Sequence, residues 1–308
     1  MKIYAKAALD RGEFQEKIKC GCDGIEIQLM SDYLIHGKEY RHYYEEELWK
    51  NYNIEVIHTP GYPQGQMMNI ERIFLQEDIK VLEYVFALAE ECAEIWKHRV
   101  MVIIHTSISF TNFLEYEILQ KRIKDNLGKI LDNYPLTDLV IENVIPLEYK
   151  TGNTESQIYL CNGYYMDVIQ IVKWLQCLYG DRIGSVLDVC HAKITKYYME
   201  SLLQNAGLKN VTCMNETIDF GMESYFQKYA DTCRLIHFNN SVGNGFEVNH
   251  GIGFDDRKDV NAILQLYHRY NYMVPLTLEI SEVDYLDCKN YRRLKKQIEE
   301  CENMKIQS

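Results

Sequence analysis

Residues 186–192 read Val-Leu-Asp-Val-Cys-His-Ala (VLDVCHA). An apolar run with the composition of a buried strand ends at Asp188, and His191 follows three residues later. Burying a polar group without a partner costs roughly 2–7 kcal/mol, so a carboxylate and an imidazole at the end of such a strand need company. The question is whether other strands end the same way.

They do. Eight short β-rich runs punctuate the chain: Lys2–Ala8, Asp23–Leu29, Ile54–His58, Val100–His105, Leu139–Asn143, Gly184–Asp188, Arg234–Phe238 and Leu276–Ile280. Between them lie longer segments whose apolar residues recur every three or four positions, as in IERIFLQEDIKVLEYVFALAEECAEIW (70–96) and YEILQKRIKDNLGKILDNY (116–134). Strands joined by helical crossovers run parallel, and eight such units suffice to close a (β/α)8 TIM barrel. The glycine-rich GxGxxG turn of an open dinucleotide-binding sheet is absent. No linker or charge block divides the chain, so the expectation is one domain spanning 1–308. Two connections are long, Pro146–Gly163 and Lys193–Cys233, and the second carries a helical piece over Met222–Tyr229.

Composition narrows the function classes. With 33 Lys plus Arg against 45 Asp plus Glu the formal net charge is −12, which disfavours a molecule-wide field for nucleic acid or anionic lipid. The start, MKIYAKAALDRGEF, has no secretory pattern, and no apolar run reaches the length of about 20 residues that spans a membrane, so a cytoplasmic protein is expected. Ten cysteines in contexts such as Cys92, Cys177 and Cys233 are expected as buried, reduced thiols. Cys20 and Cys22 form a CxC without a second pair at zinc-finger spacing.

In a barrel of this kind all strand C-termini open on one rim. Those ends carry His58, His105, Glu142, Asp188 with His191, His237, and Glu279, while His250 follows in the next loop; five of the nine histidines fall in this set. No Arg or Lys closes those strands, so converging carboxylates must be protonated or hold a cation, and a metal site is the expectation. Mixed carboxylate and imidazole donors suit a divalent ion such as Zn, Mn, Co or Mg.

The order of these motifs resembles the xylose isomerase-like TIM barrels, a superfamily of sugar isomerases and epimerases that also includes endonuclease IV. The resemblance runs from IEIQL (25–29) to LTLEI (276–280) and is sharpest at IEN (141–143), LDVCHA (187–192), HFNNS (237–241) and LEI (278–280). It implies a metal quartet of Glu142, Asp188, His237 and Glu279. Similarity to the epimerases implies that Glu142 and Glu279 are also catalytic: one takes a proton beside a carbonyl, an ene-diolate forms, and the other returns a proton. His191 then bonds substrate, and His58, His105 and His250 line the pocket.

Similarity to endonuclease IV implies up to three ions instead, and hydrolysis of a phosphodiester at an abasic site. His58, His105 and Glu142 match its first site, the quartet its second, and His191 with His250 two ligands of its third. The chain departs from that AP endonuclease pattern at Val248, where the third site has an Asp; Glu247 precedes it. Further departures are Asn240 for Asp, Val242 for Lys, and Thr106-Ser107 after His105. The loops after His58 (59–69) and His105 (106–112) hold no basic residue, whereas DNA binders place Lys and Arg along the phosphates. From the epimerases it departs at Gly243, where they carry a substrate-binding Arg. The expectation is a one-metal isomerase or epimerase acting on a sugar-like small molecule, with nucleic acid disfavoured as partner. A phosphodiesterase and a non-catalytic barrel subunit are the alternatives.

Overall fold

The computed structural model describes residues 1–29, 48–60, 70, 79–106, 114–115, 117–145, 147–151, 155–159, 165–204, 219–242 and 249–306. Eight strands form the barrel: β1 (Ile3–Ala8), β2 (Gly24–Gln28), β3 (Ile54–His58), β4 (Val100–His105), β5 (Thr137–Glu142), β6 (Ile183–Asp188), β7 (Cys233–His237) and β8 (Leu276–Leu278). Each boundary lies within two residues of the sequence expectation. Glu279 falls just past its strand rather than inside it. Every neighbouring pair is parallel, and pairing of Ile3 with Leu276 closes the ring in the order β1-β8-β7-β6-β5-β4-β3-β2.

Parallel strands covered on both faces read as nearly continuous apolar runs, and β6 is buried at all six positions. Among the described residues the helices that cover the barrel are α1 (Arg11–Lys19), α2 (Ile79–Trp96), α3 (Glu117–Asn133), α4 (Tyr165–Tyr179), α5 (Val189–Gln204), α6 (Met222–Tyr229), α7 (Arg257–Arg269) and α8 (Lys289–Ile306). No described helix is long and apolar enough to cross a membrane. Cys92 and Cys233 are buried as expected, but Cys177 is exposed, because it lies on the outer face of α4. The described cysteines are all free thiols.

Inside the barrel the strands stack side chains in layers. Tyr4, Val56, Ile103, Val140, Val186 and Leu235 form a closed apolar layer of their own. Strand alternation puts the next inward residue two positions on, and on those same six strands it is Lys6, His58, His105, Glu142, Asp188 and His237. β2 adds Glu26, in register with Lys6. Gly24 makes room for the apolar layer, since a Cβ there would sit 3.1 Å from the Tyr4 ring and 2.5 Å from the Glu55 side chain.

Among the described residues two hairpins stand on this frame. One pairs 147–151 with 155–159 and fills the long connection after β5, where the sequence showed no element. The other pairs Asn240–Val242 with Asn249–Ile252, setting His250 opposite Ser241. Ser281 N–H then donates to Gly251 O at 2.6 Å, joining this hairpin to the chain after β8.

Candidate metal centre

All eight residues expected at the rim converge. Glu142, almost wholly buried at 1 % exposure, is the hub. Its Oε2 lies 3.0 Å from His58 Nε2 and 3.2 Å from His105 Nε2, and its Oε1 lies 3.1 Å from His237 Nδ1 and 3.4 Å from His191 Nδ1. His237 Nδ1 is also 3.0 Å from Glu279 Oε2 and 3.6 Å from Asp188 Oδ2. Asp188 plays two parts: Oδ1 caps α5 by accepting from His191 N–H at 2.6 Å, while Oδ2 accepts from Asn239 Nδ2 at 3.1 Å. Asn143 clamps the same strand end, taking Asp188 N–H at 2.8 Å and donating to its carbonyl at 3.0 Å.

Three groups of ligand atoms, each mutually within 4.8 Å, result: Glu142, Asp188, His237 and Glu279; His58, His105 and Glu142; and Asp188, His191 and His250. The third takes no carboxylate from position 248, which is Val in this sequence. Asp188, shared with the quartet, supplies one, 3.7 Å from His191 Nδ1 and 4.0 Å from His250 Nε2. The rings of His191 and His250 stack with centroids 4.8 Å apart. Glu247, Val248 and the loops 61–69 and 107–112 lie outside the described residues.

The sequence reading missed Lys6 and Glu26. A lysine does enter the ring of strand ends: Lys6 Nζ lies 2.9 Å from Glu279 Oε1 and 3.3 Å from Glu26 Oε1, and Glu26 Oε2 lies 3.0 Å from His237 Nε2. The clue was present in IYAKAA (3–8) and GIEIQ (24–28), each with one charge at an inward position of an apolar strand.

Charge follows geometry. Burial disfavours a charged His237, yet the carboxylates of Glu26 and Glu142 outweigh it and hold the ring protonated well above the usual imidazole range. His191 is pushed up to about 9, with burial overcome by Asp188 and Glu142. His105 and His250 go the other way, since burial dominates. Burial would raise Glu142 and Glu279, but His237 on the first, and Lys6 with His237 on the second, hold both well below the ordinary carboxylate range. Burial likewise opposes the Lys6 charge, and Glu279 with Glu26 more than restore it.

The donor set fits a cation. A neutral imidazole carries one N–H, and a carbonyl oxygen only accepts. His58 Nδ1 donates to Thr59 O at 2.8 Å, so its Nε2 presents a lone pair to a carboxylate 3.0 Å away unless the ring is protonated. Both nitrogens of His237 face carboxylates. Glu279 Oε2, His250 Nε2 and His105 Nδ1 are buried without a hydrogen bond to described residues. Beside the cluster a cavity of about 300 Å³ is lined by Lys6, Glu13, Gln28, His250, Glu279 and Ser281 among others.

No family model and no curated relative matches this sequence. Solved structures do. The chain is similar to a D-tagatose 3-epimerase-like protein (TM-score 0.57, 15 % identity, 99 % of each chain covered). It is similar to the IolI protein with a bound zinc atom (0.54, 12 %, 98 % of this chain and 96 % of that one). It is also similar to D-psicose 3-epimerase crystallised in the presence of D-fructose (0.53, 12 %, 96 % and 97 %). The chain shares the TIM-barrel fold of these structures. Such identities establish the fold alone. Within a TIM barrel the chemistry is set by side chains at the strand ends, and those are this chain's own.

Proposed function

We propose that this protein is a divalent-metal-dependent isomerase or epimerase of a sugar-like small molecule. The observation that carries it is the meeting of Glu142 and Glu279 at one atom, His237 Nδ1, at 3.1 and 3.0 Å, from the ends of strands separated by two others and next to a small cavity that Glu279 itself lines. Glu142, Asp188, His237 and Glu279 would hold the ion, whose contribution when bound is to polarise a carbonyl and its neighbouring hydroxyl. Two glutamates held ionised can exchange protons with a carbon between them, one taking and one returning. Lys6 and His250 line the cavity on the Glu279 side, where they can bond substrate oxygens. The fold neighbours named for epimerases agree with this reading without deciding it.

The two flanking ligand groups support a second reading, a three-metal phosphodiester hydrolase. Against it stands the absence of basic residues in 59–69 and 106–112.

One experiment separates them. Metal-loaded protein is incubated in D2O with ketoses, aldoses and their phosphates, and separately with an abasic-site oligonucleotide. Deuterium appearing at the carbon beside a carbonyl by NMR, lost in Glu142→Gln and in Glu279→Gln, is expected. Incision of the oligonucleotide with no exchange into any sugar overturns the isomerase reading in favour of the hydrolase.

A further inference from the structure

Four side chains close a ring behind the quartet: Lys6 Nζ to Glu26 Oε1 at 3.3 Å, Glu26 Oε2 to His237 Nε2 at 3.0 Å, His237 Nδ1 to Glu279 Oε2 at 3.0 Å, and Glu279 Oε1 to Lys6 Nζ at 2.9 Å. Two members, His237 and Glu279, belong to the ligand quartet, and each meets the other with the atom that faces the cluster. Their remaining atoms, the Nε2 of one and the Oε1 of the other, are taken by the other two members.

We infer that Lys6 and Glu26 are a paired positioning clamp for the metal centre, fixing which nitrogen of His237 and which oxygen of Glu279 are presented to the ion. This rests on the metal-centre reading of the site and adds two residues to it.

Three observations support it. Both side chains occupy the rim layer, two residues beyond the Tyr4 position on β1 and in register across β1 and β2, so backbone pairing fixes their relative height. The pairing of Ala5 with Leu278 carries Lys6 alongside Glu279. Glu26 is fully buried and the Lys6 side chain is 9 % exposed, so neither is a solvated surface charge held there by chance. A carboxylate on the far nitrogen of a ligand histidine sets the tautomer and orientation of the ring; removing such a partner costs 10–100-fold in metal affinity as a rule. Glu26 stands in that place for His237. Lys6 does the equivalent for the carboxylate Glu279 and neutralises Glu26.

The sign of one variant separates a clamp from simple electrostatics. Lys6→Met removes a positive charge next to a cation site, so charge alone predicts tighter binding. A clamp predicts weaker binding, because Glu279 loses the group that holds its far oxygen. Glu26→Gln weakens binding on either account, through the charge or because its single amide oxygen cannot accept from both His237 and Lys6 as the two carboxylate oxygens do.

The test is Co²⁺ binding to full-length protein freed of metal, read by competition with a chromogenic chelator and by the visible absorption of bound Co²⁺, which reports ligand geometry. Lys6→Met and Glu26→Gln are each expected to weaken Co²⁺ binding by about 10–100-fold and to alter the absorption band. The double variant is expected to lose less than the product of the two, because the pair acts as a unit. Lys6→Met binding Co²⁺ as tightly as wild type or tighter, with an unchanged spectrum, overturns the clamp. Should either variant fail to give the wild-type circular dichroism spectrum, Lys6→Arg and Glu26→Asp keep the charges and shift their reach. An altered Co²⁺ spectrum in those supports the clamp, and an unaltered one overturns it. Wild-type protein that binds no Co²⁺ overturns the metal-centre reading itself, an outcome distinct from a wild type that binds and variants that bind equally well.

Discussion

Two layers inside one barrel have opposite chemistry. The lower one, Tyr4, Val56, Ile103, Val140, Val186 and Leu235, is apolar apart from the Tyr4 hydroxyl, which bonds Glu55. The upper one, two residues further along the same six strands, is Lys6, His58, His105, Glu142, Asp188 and His237. Strand geometry is identical for both, so the difference is one of sequence alone. The lower layer needs only volume and shape, which close packing supplies. The upper layer buries carboxylates and imidazoles that each require a partner, and the strands supply it by bringing opposite charges to one level. Stability and chemistry are thus separated by about 7 Å, the rise of two strand residues.

That separation can be broken by mutation. The largest effect is expected from Glu142→Gln, which keeps the shape but removes the charge shared by four histidines; turnover should fall by about 10²–10⁴-fold. Retained turnover would show that the upper layer is structural too. In the lower layer, Leu235→Ala is expected to cost about 2–5 kcal/mol in urea unfolding while the folded protein keeps its metal affinity. Collapse of affinity together with stability would show the layers to be coupled.

Protonation supplies the third test. His191 has its folded pKa raised to about 9, so its ion pairs stabilise the metal-free protein fully below the unfolded value of about 6.5 and are lost as pH rises toward 9. Metal-free protein should therefore show a falling Tm over that window. Metal affinity should move the opposite way, rising with pH, because a bound ion must displace the proton that Glu26 and Glu142 hold on His237. Calorimetry in buffers of different ionisation enthalpy measures that released proton. The smallest effect is expected from Gly24→Ala, whose Cβ would press on Tyr4 and Glu55 and cost about 1–3 kcal/mol by overpacking the lower layer, with metal binding unchanged.

Six of the histidine and carboxylate candidates were legible because strand ends are local features, marked by where an apolar run stops; His191 and His250 lie in the segments that follow β6 and β7. Lys6 and Glu26 were not, for they sit inside their strands rather than at the last residue. Their importance comes from partners far along the chain, Glu26 and His237 being 211 residues apart. The hairpin that brings in His250 was hidden for a related reason. Its arms, NSV (240–242) and NHGI (249–252), are short and polar, and they pair because β7 and the chain after β8 hold them together.

The sequence by itself determined the eight strands, their parallel closure and the rim set of Glu142, Asp188, His237, Glu279 and the flanking histidines. Alternation of period two and the composition of strand ends are written in consecutive residues. Only the tertiary structure decided that Asp188 lies within reach of both the quartet and the His191–His250 pair, that Lys6 enters the carboxylate ring, and which atom of each histidine faces inward. Those facts depend on barrel closure, which sets distances between strands that no local pattern encodes.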